Sequence, residues 1–371
     1  MISELPAFPW TVFAPYWQRA EEHAGGIVNL ALGTPVDPTP DVVRHALAEA
    51  SNSPGHPPVE GTPALREAAA GWLTRRLGLT ADAEAVLPVL GTKELIAWLP
   101  TLLGAGAGDS VAFPALALST YGVGARLAGA TPLPVATPED LHGHSPRIAW
   151  LNWPSNPEGR AASAEDLRKT VDWARAHGVL LVNDECYIEH CWDAEPVSIL
   201  RPDVCGGDHT GLLAVHSLSK RSNLAGYRAG FVTGDPSVVA TLRTVRKHAG
   251  MAMPGPVCAA MTAALGDDAH VDEQRQRYLR RRALLREAFT AAGFRVEPAD
   301  AALFLWVTRD ESCWDTVREL AERGILVSPG EFYGESGEWH VRAAFTATDE
   351  RIEAAVSRLS PGGCCGGSCH C

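Results

Sequence analysis

HSLSKRSNLAGYRAG (216–230) directly follows the apolar run GLLAV (211–215). Such a run reads as a buried strand. Lys220 then falls just past its carboxyl end, after Ser217 and Ser219 and before Ser222, with Arg228 downstream. An ammonium group held against apolar residues is partly desolvated. Desolvation lowers its pKa and makes the amine a nucleophile toward a carbonyl. The two serines supply hydroxyl donors, and Arg228 supplies a planar donor fork that suits a phosphate.

The surrounding chain repeats this layout. SVAFP (110–114), RIAWLNWP (147–154), VLLVNDE (179–185), LLAVHSL (212–218) and AGFVTG (229–234) are continuous apolar runs. They predict buried strands of a parallel sheet covered on both faces. Helical patterns lie between them. The clearest runs from Ala164 to His177: Ser163 caps it, Leu167, Val171 and Ala174 share one face, and Gly178 stops it. Strand–helix repetition predicts a doubly wound α/β domain over residues 41–255. Ligands of such sheets sit at the strands' carboxyl ends, where Asn156, Asp184 and Lys220 all fall. From residue 256 to 360 the pattern changes to a long charged helix (268–292), a strand at ALFLWVT (302–308), a helix near 313–324 and a last helix at 348–359. This predicts a smaller α+β domain, with residues 1–40 as an arm packed on it.

A net charge of −12 argues against a nucleic-acid groove or an anionic membrane surface as partner. Any anionic ligand must be met by local cations. No apolar run approaches a membrane span, and MISELPAFPWTVF lacks a basic n-region, so a cytoplasmic protein is expected. Cys186, Cys191, Cys205, Cys258 and Cys313 show no disulfide framework and are expected as reduced thiols. The terminal PGGCCGGSCHC (361–371) is different in kind. Cys364, Cys365, Cys369, Cys371 and His370 offer thiolate and imidazole ligands for Zn²⁺ or Cu(I). Their spacing matches no standard finger, and the glycines predict a tail without fixed structure.

An amine poised for a carbonyl beside an arginine poised for a phosphate fits pyridoxal phosphate. SLSKRSNLAGYRAG resembles the lysine signature of the class I/II aminotransferases of fold type I. The resemblance extends over about residues 25–360. It implies that Lys220 joins the cofactor aldehyde and that Ser217, Ser219 and Arg228 hold its phosphate, with Gly91, Thr92 and Lys93 at a helix start. It implies that Asp184 of NDECY keeps the pyridine nitrogen protonated, making the ring a better electron sink. Tyr187 and Asn156 of NWPSNPEG would bind the phenolate oxygen. Arg342 of EWHVRAAF would grip the substrate carboxylate in a bidentate clamp, near Asn156 and Gly33. DECY, RKHAGM, ERGILVSPGEFYG and TATDERI narrow the resemblance to actinobacterial N-succinyldiaminopimelate aminotransferases.

Three positions depart from that pattern. Leu118 and Ser119 stand where Tyr-Pro is expected, so Leu118 would cover the ring without a π face, while Tyr121 remains. His56 replaces a tyrosine that crosses a homodimer interface to the phosphate. Glu158 replaces a loop threonine. The activity implied is amino transfer between glutamate/2-oxoglutarate and an acidic amino or keto acid, N-succinyl-LL-diaminopimelate foremost. Arg126, Arg221 and Lys247 are candidates for the extra carboxylates. Two alternatives stand beside it: another reaction of the same cofactor on this scaffold, such as C–S elimination or a specialised-pathway aminotransfer, and a degenerate homologue whose cysteine tail binds metal.

Overall fold

The computed structural model describes Leu5 and residues 10–360. The cysteine-rich segment 361–371, with the expected metal ligands, lies outside the described residues. Among those described, no group of His, Cys, Asp and Glu is placed to hold a metal ion.

A helix over Trp10–Glu21 leads to the short strand β1 (Val28–Asn29). Seven strands follow: β2 (Val86–Val89), β3 (Ser110–Pro114), β4 (Thr131–Val135), β5 (Ile148–Leu151), β6 (Leu180–Asp184), β7 (Leu212–Ser217) and β8 (Gly230–Gly234). They form one sheet in the order β2-β8-β7-β6-β5-β3-β4. From β7 through β4 every pairing is parallel, as the apolar runs require. Successive residues feed opposite faces. Leu181, Leu212 and Ala214 pack under the helices Pro63–Leu77 and Ala164–His177, while Val182, Leu213 and Val215 pack under Thr92–Leu102. Ser163 caps the helix Ala164–His177 by accepting from Asp166 N at 3.1 Å, and Gly178 ends it at φ +64°.

The sheet is mostly parallel, as the fold class expected; the exception is β8, which runs antiparallel to both neighbours. The segment between β7 and β8 contains only two short helical turns, Leu218–Arg221 and Ala225–Tyr227, so it returns at the same end of the strands. Ser217 therefore pairs with Gly230. Lys220 and Arg228 are thus held together at the carboxyl end of β7. Strands β2 and β4, which the apolar runs do not reveal, both contain proline and both lie at the sheet's edges.

Strands β9 (Arg295–Val296), β10 (Phe304–Thr308), β11 (Ile325–Leu326), β12 (Ser328–Pro329) and β13 (Val341–Ala344) build the second unit. The order β12-β13-β10-β9 is antiparallel throughout, and β11 pairs in parallel with β1. Phe13, Val28 and Leu30 share a core with Tyr278, Leu285, Phe289, Phe304 and Ile352, so the N-terminal arm packs on this unit. The helix Gly255–Gly266 buries Cys258, Met261 and Leu265 among the residues of the large sheet's core. It therefore extends that layer past residue 256, and the second unit's own core begins on the helix Ala269–Ala291.

Asp37 anchors the arm. Its carboxylate receives two bonds from Arg281, at 2.7 and 2.8 Å, and both side chains are largely buried. Burial alone would raise the Asp37 pKa, but Arg281 and Gln274 reverse it to a net lowering. Removing one partner leaves the other charge buried and unpaired. Arg281→Met is therefore expected to destabilise the protein by about 3 kcal/mol in urea unfolding, whereas breaking the fully exposed Lys169–Glu165 pair is expected to leave the unfolding midpoint essentially unchanged.

Candidate active site

A cavity of about 310 Å³ opens at the carboxyl ends of β5, β6 and β7. Its walls come from both units. Asn156, Asp184, Tyr187, Ser217, Ser219, Lys220 and Arg228 come from the large sheet, Thr92, Lys93 and Leu118 from the segments above it, Arg342 from β13, and Gly33 from the arm.

Lys220 lies on the one-turn helix after β7, and its Nζ donates to the carbonyl of Gly33. Burial and the charge of Arg342, with Arg228, pull its pKa down to about 8, against an opposing pull from Cys186. Ser217 Oγ accepts from Ser219 N at 3.1 Å, which tightens the turn that carries the lysine. Arg228 takes a left-handed conformation, φ +57°, and donates to Ala225 O at 3.0 Å. Gly91, at φ +83°, begins the helix Thr92–Leu102. A side chain there would collide with the Arg228 guanidinium. A bare backbone at this left-handed position lets the helix start, with its N–H groups, lie against that cation. The result is an anion cradle.

Asp184 closes β6 on the adjacent strand. It is buried, and its Oδ2 accepts from Tyr121 Oη at 2.9 Å while Oδ1 accepts from Cys186 N at 3.2 Å. Burial raises its pKa, and these bonds offset part of the rise. Tyr187 packs edge-on to Phe304 at 5.3 Å. Burial raises its pKa too, with Arg342 pulling the other way. Asn156 Oδ1 accepts from Arg342 Nη1 at 2.8 Å, and Arg342 Nη2 donates to Ala31 O at 2.7 Å. The guanidinium lies 4.0 Å from the Phe304 ring centre and 4.9 Å from that of Tyr333. These two rings and its strand neighbours fix the fork in place. A Cβ on Gly33 would strike Phe304, so the arm can approach only as glycine.

Other expected positions fall elsewhere. His56 is exposed on its own chain and outside the lining, as a residue expected to serve a second subunit's site can be. Arg221 faces away from the cavity. Its Nε donates to Glu189, which also accepts from Arg76 at 2.9 Å and Trp72 at 3.1 Å. Arg126 and Lys247 do not line the cavity, and Lys247 is exposed. Glu158 lines a neighbouring apolar cavity with Trp150 and Trp153, and burial raises its pKa. Sequence reasoning missed Phe304, Cys186, Asn152 and the Tyr121–Asp184 bond. Cys186 lies within NDECY and donates to Thr92 Oγ1 at 3.2 Å. Asn152 opens NWPSNPEG, whereas Phe304 and the direction of the Tyr121 hydroxyl carry no local signal.

The family described as aminotransferase class I and II matches residues 26–359, and the chain belongs to it. The chain is 64% identical over 357 residues, 96% of its length and 99% of the relative's, to the 4-dedimethylamino-4-oxo-anhydrotetracycline transaminase OxyQ of Streptomyces rimosus. It is 58% identical to the probable aminotransferase Rv1178 of Mycobacterium tuberculosis, across 96% and 86% of the two chains. To the LL-diaminopimelate aminotransferase of Gloeobacter violaceus it is 33% identical, across 97% and 98%. A solved aminotransferase from Neisseria meningitidis superposes with a TM-score of 0.88 at 28% identity, covering 96% and 97%. The fold is that of the fold type I aminotransferases. The protein is a pyridoxal-phosphate-dependent aminotransferase.

The residues present fit that cofactor. The cradle of Gly91, Thr92 and Arg228 suits its phosphate, the desolvated Lys220 amine suits its aldehyde, and the buried Asp184 carboxylate suits a cationic ring nitrogen. Only the neutral amine attacks a carbonyl, and its fraction grows as pH rises through the pKa. Uptake of pyridoxal phosphate by the apo-protein, followed by absorbance, is expected to accelerate by about tenfold per pH unit below pH 8 and to level off above it. Gly91→Val is expected to weaken cofactor affinity by at least about tenfold in the same titration, through displacement of Arg228.

Proposed function

We propose that the protein moves an amino group from an α-amino acid of the glutamate type to a ring ketone of the 4-oxo-anhydrotetracycline kind. Its 64% identity to OxyQ, across nearly the whole of both chains, carries this reading. The cavity's composition agrees with it. The lining cations are Lys93, Lys220, Arg228 and Arg342. Lys220 and Arg228 are committed to the cofactor and Arg342 to the donor's α-carboxylate. Arg126, Arg221 and Lys247, the expected partners of further carboxylates, lie outside the lining. A second reading, N-succinyl-LL-diaminopimelate in lysine biosynthesis, draws on the 33% identity to LL-diaminopimelate aminotransferase.

The geometry supports the following roles in this reading. When bound, pyridoxal phosphate supplies an electron sink conjugated to the substrate's reacting carbon. Arg342 presents Nη1 and Nη2 to the donor carboxylate, releasing Asn156 Oδ1 and Ala31 O. Phe304 and Tyr333 hold the guanidinium plane while this happens. Lys220 Nζ would take up the donor's α-proton and hold it for return. Asp184 would hold the ring nitrogen's proton, and Tyr187 and Asn156 would donate to the phenolate oxygen. Ser217, Ser219, Arg228 and the N–H groups after Gly91 would bind the phosphate. We take the working unit to be a homodimer in which His56 reaches the partner's phosphate.

A single-turnover comparison tests the substrate. The protein is first converted by glutamate to its aminated form, then offered each acceptor in turn. Recovery of the original absorbance is expected to be at least about a hundredfold faster with the tetracyclic ketone than with N-succinyl-2-amino-6-oxopimelate, a ratio that pocket chemistry can supply. The reverse preference would establish the lysine-pathway reading instead. Arg342→Gln is expected to raise KM for glutamate by about a hundredfold or more, since one charged fork is lost.

A further inference from the structure

Tyr121 opens the helix Thr120–Leu127, with 1% of its surface exposed. Its ring packs against Phe113, at 6.4 Å and nearly parallel, and against Trp150, at 5.4 Å and tilted. These two contacts restrain the buried ring. Its hydroxyl donates to Asp184 Oδ2 at 2.9 Å. A buried phenol must find an acceptor, and the carboxylate gains a donor in return. The two Asp184 oxygens together offer about four acceptor sites. Tyr121 and the Cys186 N–H occupy one on each oxygen, which leaves room for a further donor from the cavity side.

We propose that Tyr121 is a positioning residue for amino transfer: its phenol holds Asp184 ionised and aimed, and so sets how fully the bound cofactor's ring nitrogen keeps its proton. This rests on the role given to Asp184 above. One proton is shared between two bases, the carboxylate and the ring nitrogen. A donor on the carboxylate stabilises its negative charge and leaves the proton on nitrogen. Without that donor the proton shifts toward oxygen, and the ring becomes a weaker electron sink.

The holoenzyme is reconstituted with pyridoxal phosphate labelled with ¹⁵N in the ring, and the nitrogen's chemical shift reports its protonation directly. Tyr121→Phe keeps the ring packing and removes the donor. Its ¹⁵N signal is expected to move toward the unprotonated value. Its kcat is expected to fall by about tenfold to a hundredfold, the worth of a hydrogen bond to an ionised group. KM for the amino donor should stay within about twofold. Asp184→Asn is the reference and should move the signal fully. Adding Tyr121→Phe to it should move the signal no further. If Asp184→Asn leaves the nitrogen protonated, the role of Asp184 fails. If Asp184→Asn moves the signal and Tyr121→Phe does not, Asp184 stands and the Tyr121 proposal is overturned. Should Tyr121→Phe not fold, a ring-fluorinated tyrosine at position 121 serves as second variant. It is a stronger donor of nearly the same shape. It should shift the signal further toward the protonated value, and no shift would overturn the proposal.

Discussion

The site depends on the reversal between β7 and β8. Ser217 and Gly230 face each other across that antiparallel pair, so the chain leaves the sheet and rejoins it at one end of the strands. Everything between them is displayed at the carboxyl ends of the parallel strands. Lys220 and Arg228 are there for this reason, and Asp184 meets them because β6 ends beside β7. A covering helix in place of the short return would carry Arg228 to the far end of the sheet. The same constraint sets the lysine's chemistry. Its amine stands above buried strands with Arg342 and Arg228 nearby, so desolvation and like charge both favour the neutral form.

The second unit completes the site from outside. Arg342 sits in the middle of an antiparallel ladder, opposite Trp306 on one side and Ser328 on the other. Phe304, one strand away, does two jobs. Its face supports the guanidinium, and its edge meets Tyr187. The arm supplies Ala31 O and Gly33 O as acceptors for Arg342 and Lys220. Asp37, a few residues on, ties that arm to the long helix through Arg281. Stability and function therefore share one strut. Loosening the Asp37–Arg281 pair would also loosen the carbonyls that hold two cations of the cavity, Arg342 and Lys220.

Much of this was legible in the residues. Strand-end positions follow from apolar runs that stop at Asn, Asp and Lys, and the serine-flanked lysine stands out by its neighbours. The direction of β8 was not legible, because an apolar pentapeptide carries no sign of which way it pairs. Arg221 shows a second limit. It follows Lys220 directly, yet consecutive helical side chains point about 100° apart. One reaches the cavity and the other reaches Glu189. Charge beside charge looks like a shared task until the turn is built. Tyr121 shows a third. It lies far from Asp184 in sequence, and only the packing of Phe113 and Trp150 aims it there. The helix Gly255–Gly266 belongs to the large core through Cys258 and Met261, a contact that a change of pattern near Pro256 could not announce.

The prolines of β4 have a consequence beyond this chain's own folding. Thr131 N–H bonds inward to Asp109 O, and Val135 O accepts from Ala115 N–H, so the odd-numbered residues face β3. Pro132 and Pro134 then face outward and carry no amide hydrogen there. That rim of the sheet offers carbonyl oxygens to any approaching strand but almost nothing to donate. A second molecule cannot zip onto it, and so a largely parallel sheet, slow to assemble and rich in valine and leucine, stays shielded on that flank from open-ended stacking with its own kind.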